Sequence, residues 1–394
     1  MSRSQQHGRP ADTGSRRRFL RQVVSAGAGL GLVGGQALAR PASRAAKSAG
    51  KRIPVIDCTD LYHPPQDPGD NVDLVTAYAL PEIDLKAVIL DVTEKYRRPP
   101  EGRRDAGFIP VTQLNAIFGR NVPCAVTPYT RMKSPADKML DAPAFQQNGI
   151  NLLLQTLRDS PRKVEIVSFG SARAIAVAFN RRPDLLREKV RRIHLSAGAS
   201  SPDFIEWNVA LDPHAFVRML RSDLPIAIHP CATKGGPFAY GRHNSFWKLK
   251  DLRFIERVRP ALRAYLAYAL SASRRSDFLR ALEEEPSAGV LKGIVRHEHK
   301  VWETGTWLAV SGRKLVRRAD GHCRIVPGAA VLATDKVLPN ELRPCTVRVR
   351  DSGGFTFQLT DRPTNFLLYD RRDPAENEKA LREALPELYV SFRP

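Results

Sequence analysis

Five carboxylates fall within the stretch Asp57-Cys-Thr-Asp60-Leu-Tyr-His-Pro-Pro-Gln-Asp67-Pro-Gly-Asp70-Asn-Val-Asp73. It follows an apolar run, Ile53–Asp57, that reads as a first parallel strand. Like charges gathered at one strand end repel and raise one another's pKa unless a cation neutralises them. Oxygen donors of this kind favour Ca2+ or Mg2+ over zinc. A plainer reading is equally open. Asp70 can cap a helix beginning at Asn71, Asp73 can sit in its first turn, and the rest can be a solvated loop.

The elements that must position this loop alternate between strand and helix. After the first strand the pattern gives helix Asn71–Leu80, strand Leu85–Asp91, a charged loop over 97–107, helix Thr112–Phe118 and strand Cys124–Thr127. It continues with helix Phe145–Arg158, strand Val164–Phe169, helices Ala172–Phe179 and Pro183–Val190, and strand Arg192–Ser196. Helix Pro213–Arg221 and strand Ile226–His229 follow, then a helical Arg/Glu/Ala-rich stretch over 250–285. Beyond Trp307 come short strands, Thr346–Arg350, Phe355–Leu359 and Phe366–Tyr369, and a closing helix, Pro374–Leu385. The alternation predicts an α/β fold, a mainly parallel sheet with helices on both faces and extra C-terminal strands. Ligands of such sheets bind at the carboxyl ends of the strands, where the acidic loop lies.

The N-terminus reads as an address. Ser15-Arg16-Arg17-Arg18-Phe19-Leu20-Arg21 resembles a twin-arginine motif; a mild apolar stretch, Val23–Val33, and Ala37-Leu38-Ala39 follow it. Residues 1–39 are therefore expected to be an export signal and 40–51 a linker. An α/β domain is expected over 52–310 and a strand-rich extension of it over 311–394. Export implies a periplasmic or secreted protein with no membrane association after signal cleavage. The net charge is +21, but Arg residues such as Arg181, Arg187 and Arg191 are spread through helical segments, so no nucleic-acid partner is expected. Five scattered cysteines without metal spacing indicate neither a disulfide framework nor a zinc site.

The acidic loop resembles the Asp-x-Asp-Pro-Gly-x-Asp-Asp signature of the inosine–uridine-preferring nucleoside hydrolases. Two later stretches agree. Val164-Glu-Ile-Val-Ser-Phe169-Gly170, with Pro183-Asp-Leu-Leu and Arg192-Ile-His-Leu-Ser-Ala-Gly198, is similar to that family's strand–turn–helix and later Gly-Gly turn. Glu206-Trp207-Asn208-Val-Ala-Leu-Asp212-Pro213-His-Ala215 is similar to its Glu-Phe-Asn-x-x-x-Asp-Pro-x-Ala element. The resemblance covers Ile53 to His229. Two registers fit the loop. In one, Asp67-Pro68-Gly69 is the literal Asp-Pro-Gly. In the other, Leu61–Gln66 is an insertion, Asp60 closes the first half and Asp70 opens the helix. The second keeps the family's helix length and leaves Gly69 where the family has a sugar-contacting Asp.

The resemblance implies a nucleoside-hydrolase-like fold and a Ca2+-dependent hydrolase of N-glycosidic bonds in ribonucleosides or related glycosides. Asp60 (Asp67 in the other register) would be the catalytic base and a metal ligand. Asp67, Asp70 and the Phe169 carbonyl would be metal ligands, and Glu206 and Asn208 would bind the ribose hydroxyls. The bland counterpart for Glu206 and Asn208 is a cap and loop anchor before the Pro213 helix. Several motifs depart from the family. The Gly-Asn before Glu206 is absent, the Asn usual after the second strand is displaced towards Thr93-Glu94, and the late His-Asp pair has no clean match. His299 and Glu303 lie in the right region for that pair, though a surface helix carrying His and Glu fits them equally. A non-catalytic carbohydrate- or nucleoside-binding protein of the same fold is the alternative. Base preference is not legible, and a homo-oligomer remains open.

Overall fold

The apolar runs form one nine-stranded sheet. In the computed structural model, which describes residues 52–94 and 104–394, its strands are β1 (Ile53–Thr59), β2 (Ile83–Leu90), β3 (Cys124–Val126), β4 (Val164–Phe169), β5 (Val190–Leu195), β6 (Ile226–Ile228), β7 (Glu341–Val349), β8 (Phe355–Leu359) and β9 (Phe366–Asp370). Their spatial order is β8-β7-β9-β6-β5-β4-β1-β2-β3. Pairings from β9 through to β3 are parallel, while β7 runs antiparallel to both β8 and β9. Strands buried on both faces need apolar residues at every position, which explains their continuous runs. In β1, Val55 enters one core while Ile56 and Cys58 enter the other.

Eleven α-helices follow in chain order: α1 (Gly69–Ala79), α2 (Phe108–Phe118), α3 (Asn148–Asp159), α4 (Arg173–Arg181), α5 (Pro183–Lys189), α6 (Trp207–Leu211), α7 (Pro213–Leu220), α8 (Pro260–Leu270), α9 (Ala288–Val295), α10 (Thr304–Ser311) and α11 (Pro374–Ser391), all among the described residues. Apolar side chains of α1, α2, α8 and α11 fill one core, and those of α3, α4, α5 and α7 fill the other. The described residues belong to one compact unit. None of their helices is long and apolar enough to cross a membrane. The expected signal (1–39) and linker (40–51), with much of the charged loop at 97–107, lie outside the described residues.

Several elements differ from expectation for local reasons. Helix α1 starts at Gly69, so Asp70 stands inside its first turn and is not its cap. The Asp67 carboxylate instead accepts the Gly69 amide at 2.7 Å. Helix α2 begins at Phe108 because Pro110, in the first turn, occupies a position whose amide needs no helical partner. Within 250–285 only α8 is α-helical; it stops where Ala272 adopts φ 54°, and Arg253–Arg257 and Arg280–Glu283 are short 3-10 segments. Of the two readings open for His299, the surface helix is not the one observed: α9 ends at Val295, and His299 pairs with Leu249 in a two-stranded ribbon. A small three-stranded sheet (Arg313–Arg317, Cys323–Pro327, Lys336–Leu338) escaped the sequence pattern because its strands are short and charged.

The C-terminal strands carry the main sheet beyond β6. Tyr369 of β9 lies against the start of α10, where a Cβ on residue 305 would sit 2.7 Å from the ring, so glycine alone fits there. Tyr369 also stacks on His229, ring centres 5.5 Å apart. His229 Nε2 is 3.2 Å from His194 Nδ1, and His194 Nε2 is 3.3 Å from Glu165.

Burial is the main cause that lowers the pKa of both histidines from 6.5, and repulsion from His194 lowers His229 further. A folded pKa below the unfolded one means that the fold holds the neutral form. The stability these groups support is present above the unfolded pKa of about 6.5 and lost as pH falls below it. Replacing His229 with Phe keeps the ring stack and removes the proton acceptor. The fall in Tm between about pH 7.5 and about pH 5.5 should therefore be smaller in His229→Phe than in the wild type. An unchanged fall in a differential scanning experiment would mean that this pair does not set the acid limit.

Candidate functional site

The chain builds β1, β2 and β3 outward in one direction and then returns to the other side of β1 with β4. That reversal makes a crevice at the carboxyl ends of β1 and β4, the usual ligand position in such sheets. A cavity of about 490 Å³ opens there. Asp60, Asp67 and Asp70 border it from the acidic loop, and Phe169 from the end of β4. Glu206 and Asn208 border it from the start of α6, and His299 and Glu303 from the ribbon and the start of α10. The residues singled out from sequence are thus brought together. Asp57 and Asp73 are not part of the cavity lining.

The floor of the cavity is strongly acidic. Asp60 and Asp70 are buried, and burial raises both pKa values well above the usual carboxylate range. Asp91 and Asp67 raise Asp60 further, while Asp60, Asp67, Glu303 and Asp73 do the same to Asp70. Burial also pushes Glu303 up to about 7, with Asp67 adding repulsion. Asp70 Oδ2 is buried and has no hydrogen-bond partner in the protein. The Phe169 ring packs on Trp307 with centres 5.4 Å apart. Asp73 accepts a hydrogen bond from Trp307 Nε1 at 3.1 Å and so supports α10 from beneath.

These donors are hard oxygens with too little positive charge to match them, which is the chemistry of a hard divalent cation site. Among the described residues, however, no three His, Cys, Asp or Glu side chains are already drawn into a ligand set. The donor types fit a cation; the cage is not preformed.

Glu206 is a helix cap. It is 3% exposed, its Oε1 accepts the Asn208 amide at 2.9 Å, and its Oε2 accepts those of Gly198 at 2.9 Å and Val209 at 3.4 Å. Burial nevertheless pushes it up to about 7. Asn208 Nδ2 donates to the Ser196 carbonyl at 2.8 Å. The anchoring role weighed from sequence is therefore what the geometry displays.

Sequence reasoning missed two parts of the site. Trp302 and Phe238 form an aromatic wall, ring centres 5.9 Å apart, and Trp302 Nε1 donates to the Cys231 carbonyl at 2.9 Å. Lys300 Nζ lies 4.0 Å from the Phe238 ring centre. No spacing rule links Phe238 to Lys300 and Trp302, since they come from distant parts of the chain. The second omission is Arg173, fully buried behind the floor. Its Nε is 2.9 Å from Asp212 Oδ2 and its Nη1 3.6 Å from Asp91, and Nη1 also donates to the Pro128 carbonyl at 2.5 Å. A lone Arg within Ser171-Ala-Arg173-Ala-Ile-Ala was the available signal, because a cation on an apolar helix face must find a buried partner.

No protein-family model matches the chain. Among curated proteins it is similar to the pyrimidine-specific ribonucleoside hydrolase RihA of Citrobacter koseri, 30% identical over 185 residues, which cover 41% of this chain and 57% of that protein. RihA of Escherichia coli O1:K1 / APEC is 29% identical over 181 residues, with 41% and 57% covered. The match thus spans a little over half the length of these relatives. Among solved structures, a plant nucleoside hydrolase superposes with a TM-score of 0.51 at 17% identity, covering 84% of this chain and 98% of that one. A purine-preferring ribonucleoside hydrolase from Gardnerella vaginalis gives 0.51 at 14% identity, covering 86% and 99%. The chain has the α/β fold of nucleoside hydrolases, as the acidic loop and its companion motifs led one to expect.

The Arg173 cluster yields a stability test. Arg173→Met would leave Asp91 and Asp212 buried without their shared cation, at a cost of about 3–5 kcal/mol. Urea unfolding at neutral pH should show that loss as a lower midpoint. A change below about 1 kcal/mol would mean that the two carboxylates are neutralised in another way.

Proposed function

We propose that the chain hydrolyses N-glycosidic bonds of ribonucleosides or related glycosides, with Ca2+ held at the acidic floor. The observation that carries this reading is the convergence of buried carboxylates, the Glu206–Asn208 turn and an aromatic wall on one cavity at the switch point. Asp60, Asp67, Asp70 and the Phe169 carbonyl are the groups that would hold the cation, with Glu303 beside them on the same cavity. When bound, it lowers the pKa of a neighbouring water and holds sugar hydroxyls.

Asp60 takes a proton from the attacking water. The water oxygen then joins the anomeric carbon as the bond to the base nitrogen breaks, through an oxocarbenium-like state. Surrounding carboxylates stabilise the positive charge that develops on the sugar. Glu206 holds the Gly198 turn and α6 in place, and Asn208 presents its amide oxygen to a ribose hydroxyl. His299, whose pKa burial lowers, stays neutral near pH 7 and offers a ring N–H to the departing base. Trp302 and Phe238 supply flat apolar surface for that base.

A second reading has its own support. Both Glu206 oxygens are committed to backbone amides, and the carboxylates are not drawn into a closed ligand set. The same pocket could then bind a nucleoside or sugar without cleaving it. Export through the twin-arginine signal at 1–39 belongs to the proposal too; fusing those residues to a reporter and fractionating cells reads it directly.

Calorimetric titration with Ca2+, together with uridine and inosine hydrolysis in the same buffer, separates the two readings. We expect calcium binding and turnover of at least one nucleoside by the wild type. Asp60→Asn should lower kcat by about a hundredfold or more, and Asp70→Asn should weaken calcium binding by a similar factor. Calcium binding without turnover would favour the binding protein, and no calcium binding would remove the mechanism altogether.

A further inference from the structure

The cavity is acidic but for one residue: among the described residues, Lys300 is the one Lys or Arg on its lining. Its place follows from the two-stranded ribbon in which His299–Val301 pairs with Trp247–Leu249. Side chains alternate between the two faces of such a ribbon. His299 and Val301 are buried, as are Trp247 and Leu249 opposite them. Lys300 and Lys248 share the other face, where the register sets them directly against each other, and Lys300 is exposed.

Like charges directly opposite on two strands repel, so each needs a partner. Lys248 has one, its Nζ 3.0 Å from Glu298 Oε2. Glu298 stands two residues before Lys300 on the same face, and that acid is thereby taken. Among the described residues no carboxylate pairs with Lys300; its Nζ lies instead 4.0 Å from the centre of the Phe238 ring. Phe238 is fixed in turn, with ring centres 5.7 Å from fully buried Phe246 and 5.9 Å from Trp302. Cation–π attraction thus holds a positive charge at the aromatic wall and not against the acids of the floor. An ammonium carries three N–H donors, and a ring face engages only part of them. The remainder are offered at the cavity lip.

Resting on the hydrolase reading above, in which the sugar faces the acidic floor and the base the aromatic wall, we propose that Lys300 selects nucleosides that carry an anionic group. That group is a carboxylate or a phosphate, brought either by an acidic base or by a phosphorylated sugar. It would complete the outer face of the ribbon, where one acid now serves two lysines. Lys300 is then a specificity residue, and it lies on a part of the chain where no motif marks it.

The test uses fragments that cannot be hydrolysed, titrated calorimetrically into the calcium-supplied full chain. Two pairs are compared: uracil with orotate, which adds a carboxylate to the base, and ribose with ribose 5-phosphate. The wild type should bind the anionic member of one pair more tightly by about tenfold or more, the weight of a hydrogen bond between charged groups. A response in the first pair places the charge on the base, and a response in the second places it on the sugar. Lys300→Met keeps an unbranched chain against Phe238 without the charge, and it should lose the preference with an unchanged Tm. Lys300→Arg should retain the preference, and Lys300→Glu should reverse it. Equal binding of both members of both pairs by the wild type, or a preference that survives Lys300→Met, would overturn the proposal. Uridine turnover is a separate readout. Anion selection that depends on Lys300, without turnover of any nucleoside, would sink the hydrolase reading and leave the anion contact standing; turnover without anion selection would do the reverse.

Discussion

Negative charge out of contact with water is the constraint around which the rest of the molecule is arranged. A buried carboxylate must be protonated, paired or set against a cation, because leaving it bare costs several kcal/mol or more. The chain meets this requirement in two ways on the two sides of one strand end. Behind the floor, Arg173 bridges Asp91 and Asp212 and binds the Pro128 carbonyl, so that part of the negative charge is offset inside the protein. In front, Asp60, Asp70 and Glu303 meet one another with no comparable internal cation, and their pKa values rise together. The front group is the half of the charge system left to something that arrives from solution.

The architecture serves this division. Parallel strands covered on both faces confine the polar chemistry to the strand ends, and the reversal between β1 and β4 opens the crevice there. Caps then fix the rims. Asp212 accepts the Ala215 amide at 3.2 Å at the start of α7 while also holding Arg173, and Glu206 joins the turn after β5 to α6. A single side chain thus settles a helix end and an element of the electrostatics at once. This coupling explains why capping and function could not be told apart at Glu206 from the residues alone.

Much of the fold was legible because its signals are local. The apolar runs of β1, β4 and β8 and the Pro-initiated helices α5, α7 and α11 follow from periodicity and from proline's fit to a first helical turn. The acidic loop and the Glu206–Asn208 element could be found because each is contiguous in sequence. What was not legible depends on distance along the chain. The aromatic wall joins Phe238 to Trp302, and the pairing of His299 with Leu249 turns what could be a surface helix into a buried strand. The start of α1 was misplaced because its first amide is satisfied by Asp67, from outside the helix, so that Asp70 is released from capping.

The contact of Tyr369 with Gly305 carries a consequence for how such a chain can change. Glu303 stands two residues before that glycine, and the tyrosine reaches it from β9, a strand contributed by the far end of the sequence. The position of an acid on the cavity floor is therefore written partly in the last strands of the sheet. A lineage could not trade its C-terminal third for that of a relative without retuning the pocket. The segment least like a recognisable motif is thereby bound to the same history as the acidic loop.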